Sequence, residues 1–195
     1  GERIGGRRIV NWLAFAVVAW VSLGLELGLA EALRLAPGDI GPSFVIPLAT
    51  WIGLRASPKH ALWAALLLGL LLDLGWTVAL RDSGGLSNII GPYSIGLFLG
   101  VNLVLAARGY VLREHIVALA VMSLLCAGAT QVFVTAILTL RNAYDPIAWQ
   151  AGDELTARGA SALYTCLLAL LLWLPFRGVE PLMAFPRGPI ARRYG

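Results

Sequence analysis

The chain predicts an all-α, multi-pass inner-membrane protein of about six transmembrane helices. Three observations carry this: its composition, the recurrence of apolar runs about one bilayer long, and the one-sided placement of its arginines. Of the 195 residues, 58% are hydrophobic and 13% are charged, and the mean hydropathy is +0.78. Those values lie outside the range of a soluble domain. The net charge of +4 marks topology, since no basic patch is interleaved with stacking aromatics. The lipid bilayer is therefore the expected partner and nucleic acid is not. Cys126 and Cys166 are the only cysteines. Both fall in apolar spans and read as inert core residues, with no disulfide framework, metal set or cofactor implied.

At about 1.5 Å per residue, roughly 20 apolar residues cross a hydrocarbon core about 30 Å thick. Six segments of one transmembrane domain, residues 1–195, fit: Val10 to Leu33, Pro42 to Leu54, His60 to Leu80, Asn88 to Ala107, His115 to Leu140, and Ala157 to Phe176. The first follows basic residues, as a signal peptide does, but its apolar run is too long, so it is expected to be a retained span. The second is short and reads as kinked at Pro47, re-entrant, or sheltered by neighbours. The segment from Arg141 to Arg158 has room for a short interfacial helix displaying Trp149. The basic tail, 177–195, carries Pro181, Pro186 and Pro189 and is not expected to be helical.

With both termini in the cytoplasm, the inner segments hold Arg3, Arg7, Arg8, Arg55, Lys59, Arg108, Arg113, Arg177, Arg187, Arg192 and Arg193. The outer segments hold Arg34, Arg81, Arg141 and Arg158. Eleven against four obeys the positive-inside rule. Trp12, Trp51, Trp63 and Trp173 fall near inner ends, and Trp76 and Trp149 near outer ends, as aromatic belts would place them. Trp20 alone does not fit.

Asp73 stands inside the apolar run Gly69-Leu70-Leu71-Leu72-Asp73-Leu74-Gly75. An acid at a helix centre costs roughly 2.5 to 3.5 kcal/mol on insertion scales, so it must face protein or water, carry a proton, or have a partner. Counted along their spans, Glu26, Asp73 and Gln131 reach a similar depth in the outer half. A shared polar cluster or an outward-open cavity is the expectation. Gly69 and Thr77 lie one helical turn on either side of Asp73 and share its stripe. Glu26 lies between Gly24 and Gly28, while Gly96 and Gly100 repeat the spacing that lets membrane helices approach closely. Arg81 and Arg158 are the nearest cations that could reach the acids. Asn102 is expected to supply an interhelical hydrogen bond, and His60 and His115 to be interfacial residues. No nucleophile elbow, zinc-binding helix motif or phosphate loop is present, so no enzymatic activity is expected.

The order of features from the second span to the third resembles the bacterial rod-shape-determining protein MreD family. The matching residues are Pro42-Ser43-Phe44-Val45, then Trp51-Ile52, the basic turn Arg55-Ala56-Ser57-Pro58-Lys59, and the run from Gly69 to Asp73. Where the family passes quickly into the next span, this chain inserts Arg81-Asp82-Ser83-Gly84-Gly85 and Gly91-Pro92-Tyr93. The resemblance implies a non-enzymatic scaffold of the peptidoglycan elongation complex that maintains cell shape, with MreC and other elongation-complex membrane proteins as partners. It further implies an architecture similar to the substrate-binding components of energy-coupling-factor transporters. The alternative expectation is therefore a membrane-embedded, small-molecule-binding subunit of such a transporter.

Overall fold

A computed structural model describes residues 11–35, 40–79, 86–111, 115–144 and 151–183. Among them the elements run α1 (Trp12–Ala32), α2 (Val45–Arg55), α3 (Pro58–Gly75), β1 (Thr77–Ala79), β2 (Leu86–Asn88), α4 (Pro92–Ala107), α5 (Ile116–Arg141) and α6 (Ala151–Met183). The two strands pair antiparallel as a small hairpin. Helices α1, α3, α5 and α6 are long and apolar enough to cross a bilayer, whereas α2 and α4 have 11 and 16 residues. The outer surface suits lipid: Leu13, Trp20, Leu171 and Leu174 are 72% to 77% exposed. Large apolar surfaces of this kind are not left in water.

Helix α2 is the centre of the molecule. Every residue from Val45 to Leu54 is buried, and the helix touches α1, α3, α4, α5 and α6, as a helix apolar on all sides must. Trp51 stacks on Phe176 of α6 with ring centroids 5.2 Å apart. That is a core position and not the interfacial one expected from the tryptophan pattern. At the C-terminal end of α2, the Arg108 guanidinium donates to the carbonyls of Gly53 at 3.2 Å and Ala56 at 3.0 Å. A cation there complements the negative end of the helix dipole. Nearby, Arg55 pairs with Glu180. Arg108→Met is expected to lower stability by about 1–3 kcal/mol, because it leaves buried carbonyls without donors. Arg177→Met, which removes a guanidinium lying over Trp173 at 4.9 Å on an exposed face, should cost less than about 1 kcal/mol. Thermal unfolding in mild detergent compares the two, and equal loss would contradict the capping role of Arg108.

Helices α4 and α5 meet along a seam of small residues. A β-carbon at Gly96 would stand 3.0 Å from the Thr130 carbonyl, and one at Gly100 2.8 Å from the Cys126 carbonyl. The hydroxyl of Thr130 donates to the Gly96 carbonyl at 3.3 Å, as close membrane-helix packing permits.

Four expectations change. Helix α3 stops at Gly75, so Thr77 lies in β1 opposite Asn88 and not on the Asp73 stripe. The Asn88 amide donates to the Leu74 carbonyl at 3.1 Å, satisfying one of the last carbonyls of α3. Helix α6 starts at Ala151 and runs without interruption, so residues 151–158 belong to it and not to a separate interfacial helix; Trp149 lies outside the described residues. Helix α6 also continues past Pro175 and Pro181 to Met183. Its last turns are held from outside the helix: Glu180 by Arg55, and the Met183 carbonyl by the Asn11 N–H at 3.3 Å. Asn102 is exposed and makes no interhelical hydrogen bond among the described residues.

Candidate functional site

A helix leaves its first N–H groups without partners, and inside a bilayer no water supplies acceptors. Helices α2 and α4 begin deep in the fold, and both solve this problem with a carboxylate from the preceding long helix. For α4, Asp73 of α3 accepts every available donor of the first turn: the N–H of Gly91 at 2.9 Å, of Tyr93 at 2.8 Å and of Ser94 at 3.0 Å. It also accepts the Ser94 hydroxyl at 2.7 Å. The remaining residue of that turn, Pro92, has no N–H, and Ile95 already donates to the Gly91 carbonyl. Gly91, with φ at 124°, supplies the backbone conformation that turns the chain into the helix.

Gly69 explains why Asp73 can reach. A β-carbon there would lie 2.5 Å from the Ser94 α-carbon and 2.7 Å from the Tyr93 carbonyl oxygen. One turn along α3, glycine thus admits the α4 backbone and aspartate then caps it. Asp73 is fully buried, and all four of its partners are donors.

Glu26 of α1 does the same for α2. Its Oε2 accepts the N–H of Phe44 at 2.5 Å, the N–H of Val45 at 3.2 Å and the Ser43 hydroxyl at 3.2 Å. Ser43 Oγ accepts the Ile46 N–H at 3.3 Å, and the Ser43 N–H donates to Thr165 of α6 at 3.0 Å. Pro47 has no N–H to place. Each cap spans 18 residues, from Glu26 to Phe44 and from Asp73 to Gly91. A Gly-Pro pair stands at the entry to each short helix: Gly41-Pro42 shortly before α2, and Gly91-Pro92 as the cap and first residue of α4. The same device is built twice.

Gln131 has a different role. Its side-chain oxygen accepts from Arg158 at 2.7 Å, and Arg158 also donates to Tyr93 Oη at 3.0 Å and to Glu154 at 3.2 Å. The guanidinium lies 5.2 Å from the Trp76 ring centroid, in cation–π range. Arg158 is only 7% exposed, so these partners offset the cost of burying its charge. Asp73 and the Oε2 of Glu26 are met by backbone N–H and hydroxyl groups, and not by the arginines expected to reach them. Arg81 lies outside the described residues. The three polar residues of similar depth therefore form no single hydrogen-bonded cluster. Glu26 and Gln131 do line one partly open cavity of about 690 Å³, bounded by α1, α3, α6 and the entry to α2.

Gly24 and Gly28, on either side of Glu26, meet nothing within 4 Å. His60 sits 2.6 Å from the Ser57 hydroxyl, with its ring 5.8 Å from that of Trp12, and His115 is exposed at the start of α5. Sequence reasoning missed Ser43, Tyr93, Ser94, Glu154 and Thr165. The available signal was the repeated Gly-Pro pair downstream of each intramembrane acid. Compared with family models, curated proteins and solved structures, the chain matches none.

Proposed function

We propose that the chain is a six-crossing scaffold of the MreD type in the bacterial inner membrane. Both termini are cytoplasmic, and it helps assemble the peptidoglycan elongation complex through MreC without catalysing a reaction. The observation that carries this reading is the use of Gly69 and Asp73, the end of the resembling motif. Both serve the seating of α4 on α3, and all of Asp73's acceptor capacity goes to that task. A motif of this kind builds a rigid surface for partners and commits its own acid, Asp73, to structure. Short α2 and α4 fit six crossings because their ends carry their own charged or polar partners, Glu26 and Arg108 on α2 and Asp73 on α4. Purification of the tagged chain from native membranes in mild detergent is expected to recover MreC or another elongation partner. Recovery of none would contradict the reading.

A second reading, a small-molecule-binding subunit of an energy-coupling-factor type transporter, is favoured by one specific observation. The cavity beside Glu26 and Gln131 has the size of a ligand site, where typical volumes run from about 300 to 1,000 Å³.

A further inference from the structure

The cavity contains an acceptor that the fold does not use. Glu26 spends one oxygen, Oε2, on the start of α2. Its Oε1 has no hydrogen-bond partner among the described residues, although the side chain lines the cavity. Glu154, also on the wall, likewise gives only Oε2 to Arg158. Arg158 is occupied: Glu154, Gln131 and Tyr93 take its protons, and Trp76 lies against its face. The rest of the wall is mixed: Leu23, Leu27, Leu71 and Ile46 form an apolar side, and Arg34, Ser43, Thr156 and Ser161 add polar groups.

These features select a ligand chemistry. An anion would meet two guanidinium groups that already have partners, Arg158 and Arg34, and the unshared carboxyl oxygens of Glu26 and Glu154. A ligand carrying a charged N–H donor would give Glu26 Oε1 the partner it lacks, through a charge-assisted bond beside the apolar side of the wall. We propose that the cavity binds a small amphipathic amine, its ammonium group on Glu26 Oε1 and its apolar body against Leu23, Leu27 and Leu71. This inference rests on the second functional reading.

Glu26→Gln separates the binding role from the capping role. The glutamine oxygen can keep the bonds to Phe44, Val45 and Ser43, while its NH₂ replaces the acceptor facing the cavity. Calorimetric titration of the full chain in detergent would compare naphthylethylamine, naphthylethanol and naphthylacetate, three probes with one apolar body and different heads. The wild type is expected to bind the amine saturably and more tightly than the alcohol or the acid. Glu26→Gln should unfold at nearly the wild-type temperature and bind the amine about tenfold more weakly or worse. Ser161→Phe, which fills the cavity from α6 without touching the cap, should also lose amine binding, so the test survives a misfolded Gln variant. Amine affinity unchanged in a folded variant of either kind would overturn the proposal. Preference of the wild type for the alcohol or acid would overturn the amine while sparing the ligand-binding reading. No saturable binding of any probe would remove both.

Discussion

Asp73→Ala is expected to cost about 3–6 kcal/mol. It strands three part-buried N–H groups, each worth about 1–3 kcal/mol when left without an acceptor away from water. Against a typical total stability of about 5–15 kcal/mol, such a loss leaves little folded protein at growth temperature. Asp73→Leu should be as damaging, since it adds bulk and no acceptor. Asp73→Asn should fall between. Its one oxygen can take the position of Oδ2, which serves Gly91 and Ser94, but its NH₂ then faces the Tyr93 N–H, donor against donor. Thermal unfolding in mild detergent should therefore rank wild type above Asn, and Asn above Ala and Leu. A sequence view that treats the residue as a generic buried acid expects Asn to be nearly silent. The geometry of four donors and no acceptor expects otherwise.

Gly69→Ala is expected to cost about 2–4 kcal/mol, although alanine is the better helix former by about 1 kcal/mol. The atoms its β-carbon would meet, Ser94 Cα and N and the Tyr93 carbonyl, are all backbone. No flexible side chain can yield, so the start of α4 must move away from α3, and that movement lengthens the bonds to Asp73. The two sites are thus coupled: the Gly69→Ala, Asp73→Asn double variant should lose less than the sum of the single losses, by about 0.5–3 kcal/mol. Gly24→Ala and Gly28→Ala are the internal controls. Nothing lies within 4 Å of either position, so propensity alone acts and stability should hold or rise slightly. Equal effects at Gly69 and Gly24 would refute the close-approach role.

The helical class and the approximate centres of the six described helices were legible because apolar runs and their polar breaks report helix placement. So was the importance of the Gly69 to Asp73 run. What those residues do was not legible, because their partners lie 18 to 21 residues downstream and depend on where α4 begins. The depth argument grouped Glu26, Asp73 and Gln131, of which Glu26 and Gln131 line one cavity, but depth carries no information on direction. Two of the residues turn toward helix ends and the third toward Arg158. Thr77 was misplaced because Trp76 to Leu80 stays apolar, and hydropathy alone does not distinguish a last helical turn from a strand. The first part of the tail, residues 177–183, was misplaced for the opposite reason, while residues 184–195 lie outside the described residues. Pro175 and Pro181 are strong local breakers, yet bonds from Arg55 and Asn11 hold the last turns of α6 in place.

Helix termini are common anion sites because exposed N–H groups and the helix dipole favour negative charge. Here the anion is supplied by the chain itself, which converts two would-be binding sites into joints. Only Glu26, with one oxygen left over, keeps the capacity to do both. The arrangement accounts for acids in an apolar chain without assigning them to proton transfer. It also identifies the pairs α1 with α2 and α3 with α4 as the units that are expected to loosen when a cap is lost.

Backbone amide hydrogen exchange at Gly91, Tyr93 and Ser94 tests the capping account most directly. The account predicts slow exchange at all three in the wild type. In Asp73→Ala these amides should exchange freely while Phe44 and Val45, held by Glu26, remain protected. Fast exchange at Tyr93 and Ser94 in the wild type, or protection that survives the loss of Asp73, would contradict it.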